Sequence, residues 1–96
     1  MAAYLIGFSN RDTTDLSWID TYLKIGPVVL ARHGGKVLAT AKPENVERGK
    51  NWERATLIEF PSIEAVQAFH NDLDYKGVKD LRIANTIGEM YFLNSG

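Results

Sequence analysis

The residues from Arg54 to Tyr75, RATLIEFPSIEAVQAFHNDLDY, hold a strand, a corner and a capped amphipathic helix in direct succession. Arg54 to Phe60 is rich in residues that suit a pleated, half-buried surface. Pro61 has no N–H to give to a ladder, and Ser62 is a favoured helix N-cap, so the chain must leave a sheet and enter a helix at this point. Ile63, Val66, Phe69 and Leu73 then recur at i, i+3, i+6 and i+10, the spacing of one helical face.

The rest of the chain can be ordered around that unit. Ala3 to Ser9 reads as a first strand, ended by the turn-forming pair Ser9-Asn10. Asp15 stands ahead of Leu16, Ile19 and Leu23, at i, i+3 and i+7, and is placed to cap a helix start. Gly26-Pro27 predicts a kink, since proline lacks a donor and crowds the preceding turn, with Val28 to Arg32 resuming the helix beyond it. Gly34 or Gly35 closes the helix, because glycine accepts the left-handed conformation. Lys36 to Ala41 is a second strand, followed by a polar loop over Lys42 to Glu53. Asp74 to Asn85 reads as irregular or as a short further helix, with Val78, Leu81 and Ile83 turned inward. Thr86 to Asn94 is the last strand.

The order β-α-β-β-α-β is the split arrangement of ferredoxin-like α+β domains: a four-stranded antiparallel sheet with the helices on one face. A sheet covered on one face should alternate apolar and polar residues. These strands do not. Tyr4, Ile6 and Phe8 oppose Ala3, Leu5 and Gly7; Met90 and Phe92 oppose Tyr91 and Leu93; Leu57 opposes Ile58. Helices on one side leave the other as an apolar patch larger than soluble monomers carry, and a homodimer that buries sheet face against sheet face resolves the excess.

Composition bounds the remaining options. The 96 residues fit a single domain spanning 1–96 with a thin core, for which a partner subunit would be useful. Lys plus Arg number 11 against 12 Asp plus Glu, which argues against nucleic acid as a partner. No segment is long and apolar enough to span a bilayer, so no membrane partner is expected. The N-terminus lacks the marks of a secretory signal. The chain has no cysteine, which excludes disulfides and thiolate metal sites and makes the cytoplasm the default location.

Taken together, Tyr4-Leu5-Ile6, Asp15, Tyr22, His33-Gly34-Gly35, Ile58-Glu59-Phe60-Pro61-Ser62, Ala65, Tyr75 and Arg82 resemble the DUF1330 family, small proteins of unknown function grouped with the dimeric α/β-barrel, ferredoxin-like proteins. The resemblance runs from Tyr4 almost to the C-terminus and implies a dimeric barrel-like assembly. It names no reaction and no cofactor. Phe69 stands where the family often has Trp, and Ile19 where it often has Tyr. The segment around Glu47-Arg48-Gly49 is offset from the family's usual Glu-Gly.

Few residues here invite chemistry. With the first strand running up, Trp52, Arg54, His70, Tyr75 and Arg82 are expected near the top of the sheet and His33 at the bottom. A helix of nearly twenty residues, roughly 28 Å, would then separate the two histidines, and no shared metal is expected. His33 suits the last turn of a helix, where it meets free carbonyls and the negative dipole end. His70 borders the buried stripe and is a candidate acid or base. Glu59 is a carboxylate in the apolar run LIEF. Burial without a partner would raise its pKa and make it a candidate base, whereas Arg32, Arg54 or Arg82 would make it a structural ion pair. Tyr22 belongs to a second apolar stripe, Trp18, Tyr22, Ile25 and Val29, set against the partner subunit, the long loop or a ligand. Trp52 and Arg54 together offer a flat apolar surface and a fork for an acidic or aromatic ligand. Tyr22, Trp52, Arg54 and Arg82 are therefore the candidate ligand contacts, and Glu59 and His70 the candidate catalytic groups. Two functions fit: a protein that binds or transforms a small organic molecule without metal or cofactor, or a non-catalytic dimeric module for interaction or scaffolding.

Overall fold

A computed structural model describes residues 2–12, 14 and 16–95. The element order is β1 (Ala3–Arg11), α1 (Ser17–Arg32), β2 (Lys36–Ala41), β3 (Arg54–Phe60), α2 (Ile63–His70), α3 (Leu73–Asn85) and β4 (Thr86–Asn94). The sheet order is β2-β3-β1-β4, and every neighbouring pair is antiparallel. β1 therefore runs parallel to β2 across β3, and β3 parallel to β4 across β1, as a split β-α-β arrangement requires. No helix among the described residues is long and apolar enough to cross a membrane.

Register assigns each strand residue to a face. Ala3 pairs with Phe60 and Asn94, Leu5 with Ile58 and Phe92, and Gly7 with Thr56 and Met90. That face meets the helices. Its alternates, Tyr4, Ile6 and Phe8 with Glu59, Leu57 and Ala55 and with Leu93, Tyr91 and Glu89, form the opposite face. The core is Ala3, Leu5, Val29, Phe60, Val66, Phe69, Tyr75 and Val78, so all of it lies on the helix side. The backbone envelope is only 17 Å along its shortest axis, room for a sheet and one helical layer.

The corner that anchors the sequence reading forms as its residues require. Ser62 is extended, and its hydroxyl accepts from the Ala65 N–H at 3.1 Å. Gly34, at φ 76°, ends α1, and the Gly35 N–H returns to the Leu30 carbonyl at 2.9 Å. Glycine also suits the next position: a Cβ on Gly35 would collide with the Leu30 side chain, which would have to shift. The expected cap, Asp15, lies outside the described residues.

Two expectations change. α1 resumes beyond Gly26-Pro27, as expected, and is one helix with Pro27 inside it. Its core-facing stripe is the one carrying Tyr22 and Val29, while Leu16 and Leu23 are 45% and 59% exposed. Periodicity defines two apolar stripes on this helix without saying which one turns inward. The second helix also ends earlier than its apolar spacing suggests, at His70. Asp72 accepts from the Asp74 N–H at 2.9 Å and starts a new helix, so the stripe of α2 ends at Phe69 and Leu73 is 84% exposed. α3 is a regular helix of 13 residues, with Val78 buried and Ile83 facing solvent.

Candidate functional site

The break at Asn71-Asp72 moves the histidines. α2 packs against β1, β3 and β4, and its end is held beside the end of α1: His33 Nε2 lies 2.7 Å from Asp72 Oδ2, and Arg32 reaches Asp72 at 3.1 Å and Asp74 at 2.8 Å. His70, two residues before Asp72, therefore stands at the same end as His33. The expected separation along one long helix does not occur. The His33 bond and the Asp74 N–H hold the Asp72 carboxyl below its ordinary range, and Arg32 adds to this. The His33 ring also stacks edge-on against Phe69, 6.5 Å between centroids. His33 is thus a clasp between α1 and the α2–α3 junction as well as a helix end.

α3 runs antiparallel along α1, and between them lies the most distinctive polar group of the core. The Tyr22 and Tyr75 hydroxyls are 3.4 Å apart, and Trp18 meets Tyr22 edge-on at 6.1 Å. Tyr75 is fully buried against Phe69, 4.4 Å between ring centroids. Burial and the adjoining Tyr75 raise the Tyr22 pKa well above its ordinary value, against the opposing pull of the nearby Arg82 guanidinium. Tyr22 is a neutral phenol across the physiological range. Trp18 Nε1 and Arg82 Nε are out of contact with solvent and have no hydrogen-bond partner among the described residues. An unmet buried donor costs about 1–3 kcal/mol, and more when charged. All these groups trace to local spacing: Trp18 and Tyr22 are one turn apart on α1, and Tyr75, Val78 and Arg82 follow the inner side of α3.

His70 borders this region. Its ring packs edge-on against Phe92 at 5.5 Å, and its carbonyl accepts from Lys79 Nζ at 3.2 Å. Partial burial lowers its pKa, and the positive charges of Lys79 and Arg82 lower it further, so the ring is neutral near pH 7.

Glu59 is elsewhere. It projects from the helix-free face, half-buried, opposite Tyr4 and Lys36 in the neighbouring strands. Its carboxylate accepts from the Tyr4 hydroxyl at 3.4 Å, so its partner is a phenol and none of the three expected arginines. Glu59 and His70 lie on opposite sides of one sheet and cannot act on one substrate within a subunit. Trp52 and Arg54 are divided in the same way. Trp52 leans on Phe8 of the helix-free face at 6.2 Å, with Lys50 Nζ 5.0 Å above its ring. Arg54, on the helix-side register, donates to Thr40 Oγ1 at 3.0 Å.

The long loop folds over the upper part of the helix-free face. Asn10 fastens it by accepting from the Glu53 N–H at 2.6 Å and donating to the Asn51 carbonyl at 3.3 Å. Beneath it lies an open concavity of about 600 Å³ bounded by Phe8, Trp52, Ile87 and Glu89 and by the loop itself. A smaller one of about 370 Å³ lies at the other end, beside Glu59, Lys36 and Pro61.

This strand order, with three helices on one face, defines an α+β protein of the ferredoxin-like class. The chain belongs to the family described as Domain of unknown function (DUF1330), which it matches over residues 2–95. The RPA0582 protein of unknown function from Rhodopseudomonas palustris superposes with a TM-score of 0.78 at 20% identity, over 99% of this chain and 82% of that one. SnoaB, a cofactor-independent oxygenase from Streptomyces nogalater, gives 0.68 at 9% identity, over 99% and 93%. A dimeric protein of unknown function and ferredoxin-like fold from Bacteroides fragilis gives 0.52 at 12%, over 97% and 94%. No curated protein matches the sequence. At these identities the likenesses concern the fold.

Proposed function

We propose that the chain binds a small organic molecule on the helix side of its sheet, at Trp18, Tyr22, Tyr75 and Arg82, and that two copies assemble through their helix-free faces. One observation carries the first part: among the described residues, the two buried side-chain polar atoms without a partner, Trp18 Nε1 and Arg82 Nε, both adjoin Tyr22. Native interiors satisfy their polar groups, so an exception is a place to look for a ligand. The similar fold of SnoaB, a cofactor-independent oxygenase, supports a reading without a cofactor, and the lowered pKa of His70 makes that residue the candidate base within it. Glu59 then belongs to the assembly face.

The second part rests on that face. Ile87, Tyr91 and Leu93 expose 48%, 50% and 45% of their surface beside Ile6, Phe8 and Leu57. The Bacteroides fragilis neighbour is described as dimeric. A second copy is the simplest cover for such a surface.

A thermal-shift screen against small aromatic and aliphatic compounds tests the binding. A ligand at a hundred times its Kd stabilises by about 2.7 kcal/mol, a rise of several degrees for a domain of this size. The expected result is a compound that raises the melting temperature of the native protein but not that of Tyr22→Phe or Arg82→Met. Stabilisation left intact in both variants would remove the site. The purely structural module is favoured by the same apolar face and predicts that these substitutions change melting temperature alone.

A further inference from the structure

We infer that the ligand of this site is a monocarboxylate, seated with its oxygens toward Trp18 Nε1 and Arg82 Nε. The inference rests on the binding reading above and names the ligand's chemical class.

The groups around Tyr22 are rich in donors: the Arg82 guanidinium hydrogen-bonds the Tyr22 side chain and still has an unmet Nε–H, and Trp18, edge-on to Tyr22, has an unmet Nε1–H. Indole Nε1 can only donate, and a guanidinium offers N–H groups and no acceptor. The Tyr22 and Tyr75 hydroxyls are 3.4 Å apart, so one proton serves the contact between them and the other is free to be donated outward. A neutral amide or alcohol would bring donors of its own into this set, whereas a carboxylate brings acceptors only. Charge selects among anions. Arg82 forms no ion pair among the described residues: the carboxylates that do so, Asp72 and Asp74, are engaged with Arg32 and His33 at the far end of α1. The other nearby cation, Lys79, is turned to the His70 carbonyl. A single positive charge with no carboxylate partner among the described residues balances one negative charge, which favours a carboxylate over a dianionic phosphate. The surroundings favour an organic acid over a bare ion, because Trp18 and Tyr22 offer aromatic surface backed by the buried rings of Tyr75 and Phe69. Arg–carboxylate contact is also the geometry in which a guanidinium gains most from its planar fork.

Trp18 reports directly on its own contact. The chain has two tryptophans, so Trp52→Phe leaves Trp18 as the sole indole. In that background the protein is titrated with phenylacetate and hexanoate and, in parallel, with phenylacetamide and hexanamide. The expected result is a saturable change in Trp18 emission with at least one acid, binding at least tenfold weaker for its amide, and loss of the acid response in Arg82→Gln. Should Arg82→Gln fail to fold, the acid-to-amide ratio measured with Arg82 intact still decides. Amides that bind as tightly as the acids would overturn the carboxylate inference and leave the site standing. If no acid or amide up to 10 mM alters Trp18 emission in the folded protein, the inference and the site fall together.

Discussion

The two sides of the sheet are built from the same four strands and differ in what completes them. On the helix side, apolar residues meet α1, α2 and α3, and the polar groups among them are few and specific: a tyrosine pair, an indole N–H and a guanidinium. On the helix-free side, apolar residues of equal quality stay exposed, and polar contacts are ordinary cross-strand or loop contacts such as Tyr4 to Glu59 and Asn10 to Glu53. The difference teaches where to look for each property. A surplus of apolar surface points to another macromolecular surface, because burial is non-directional. A shortage of hydrogen-bond partners in a packed interior points to a small directional ligand.

The largest expected effect comes from charging the exposed side. Tyr91→Glu with Leu93→Glu would bury carboxylates in the proposed interface at several kcal/mol, weakening self-association by about a hundredfold or more. Sedimentation against concentration reads this, and an unchanged association constant would separate the apolar face from assembly. Next comes the helix-side core: Phe60→Ala removes a fully buried ring and should destabilise by about 3–5 kcal/mol in denaturant titration. A loss below 1 kcal/mol would mean that this side is the less packed of the two. Ser62→Ala removes the cap on α2 and should lower stability by about 1 kcal/mol without altering association.

The smallest effect is in pH. Asp72 is lowered from 3.8 in the folded chain, first by its bond to His33. Between the folded and unfolded values the unfolded state binds more protons, so this contribution is full above about pH 4 and is lost as the pH falls through the folded pKa. Asp72→Ala should therefore flatten the acid limb of the melting-temperature profile. The same limb in the variant as in the native protein would show that the clasp between α1 and the α2–α3 junction does not contribute.

Much of this contrast was legible in the sequence. The bounds of β2, β3 and β4 and the Ser62 cap follow from local chemistry, and apolar residues on both strand faces announced an uncovered side. What was not legible depends on three-dimensional direction. α1 is apolar on two sides, so spacing alone could not show that Tyr22 and Val29 face the core while Leu23 faces solvent. Trp52 and Arg54 are two residues apart, yet Trp52 precedes β3, so the period-two rule that would place them together does not apply. The break at Asn71-Asp72 had a signal, since Asp is a favoured cap, but the run from Ile63 to Leu73 continues the helical spacing across it. Spacing places Trp18 only on a stripe. The importance of its N–H depends on Tyr22, which Trp18 meets edge-on and to which Arg82, distant in sequence, is brought by the packing of α3 on α1.

The division of labour between the two faces is tested most directly by the mass of the native protein in solution. Light scattering at micromolar concentration should give twice the 10.7 kDa of one chain. A particle of a single chain's mass, with Ile87, Tyr91 and Leu93 left in water, would contradict it.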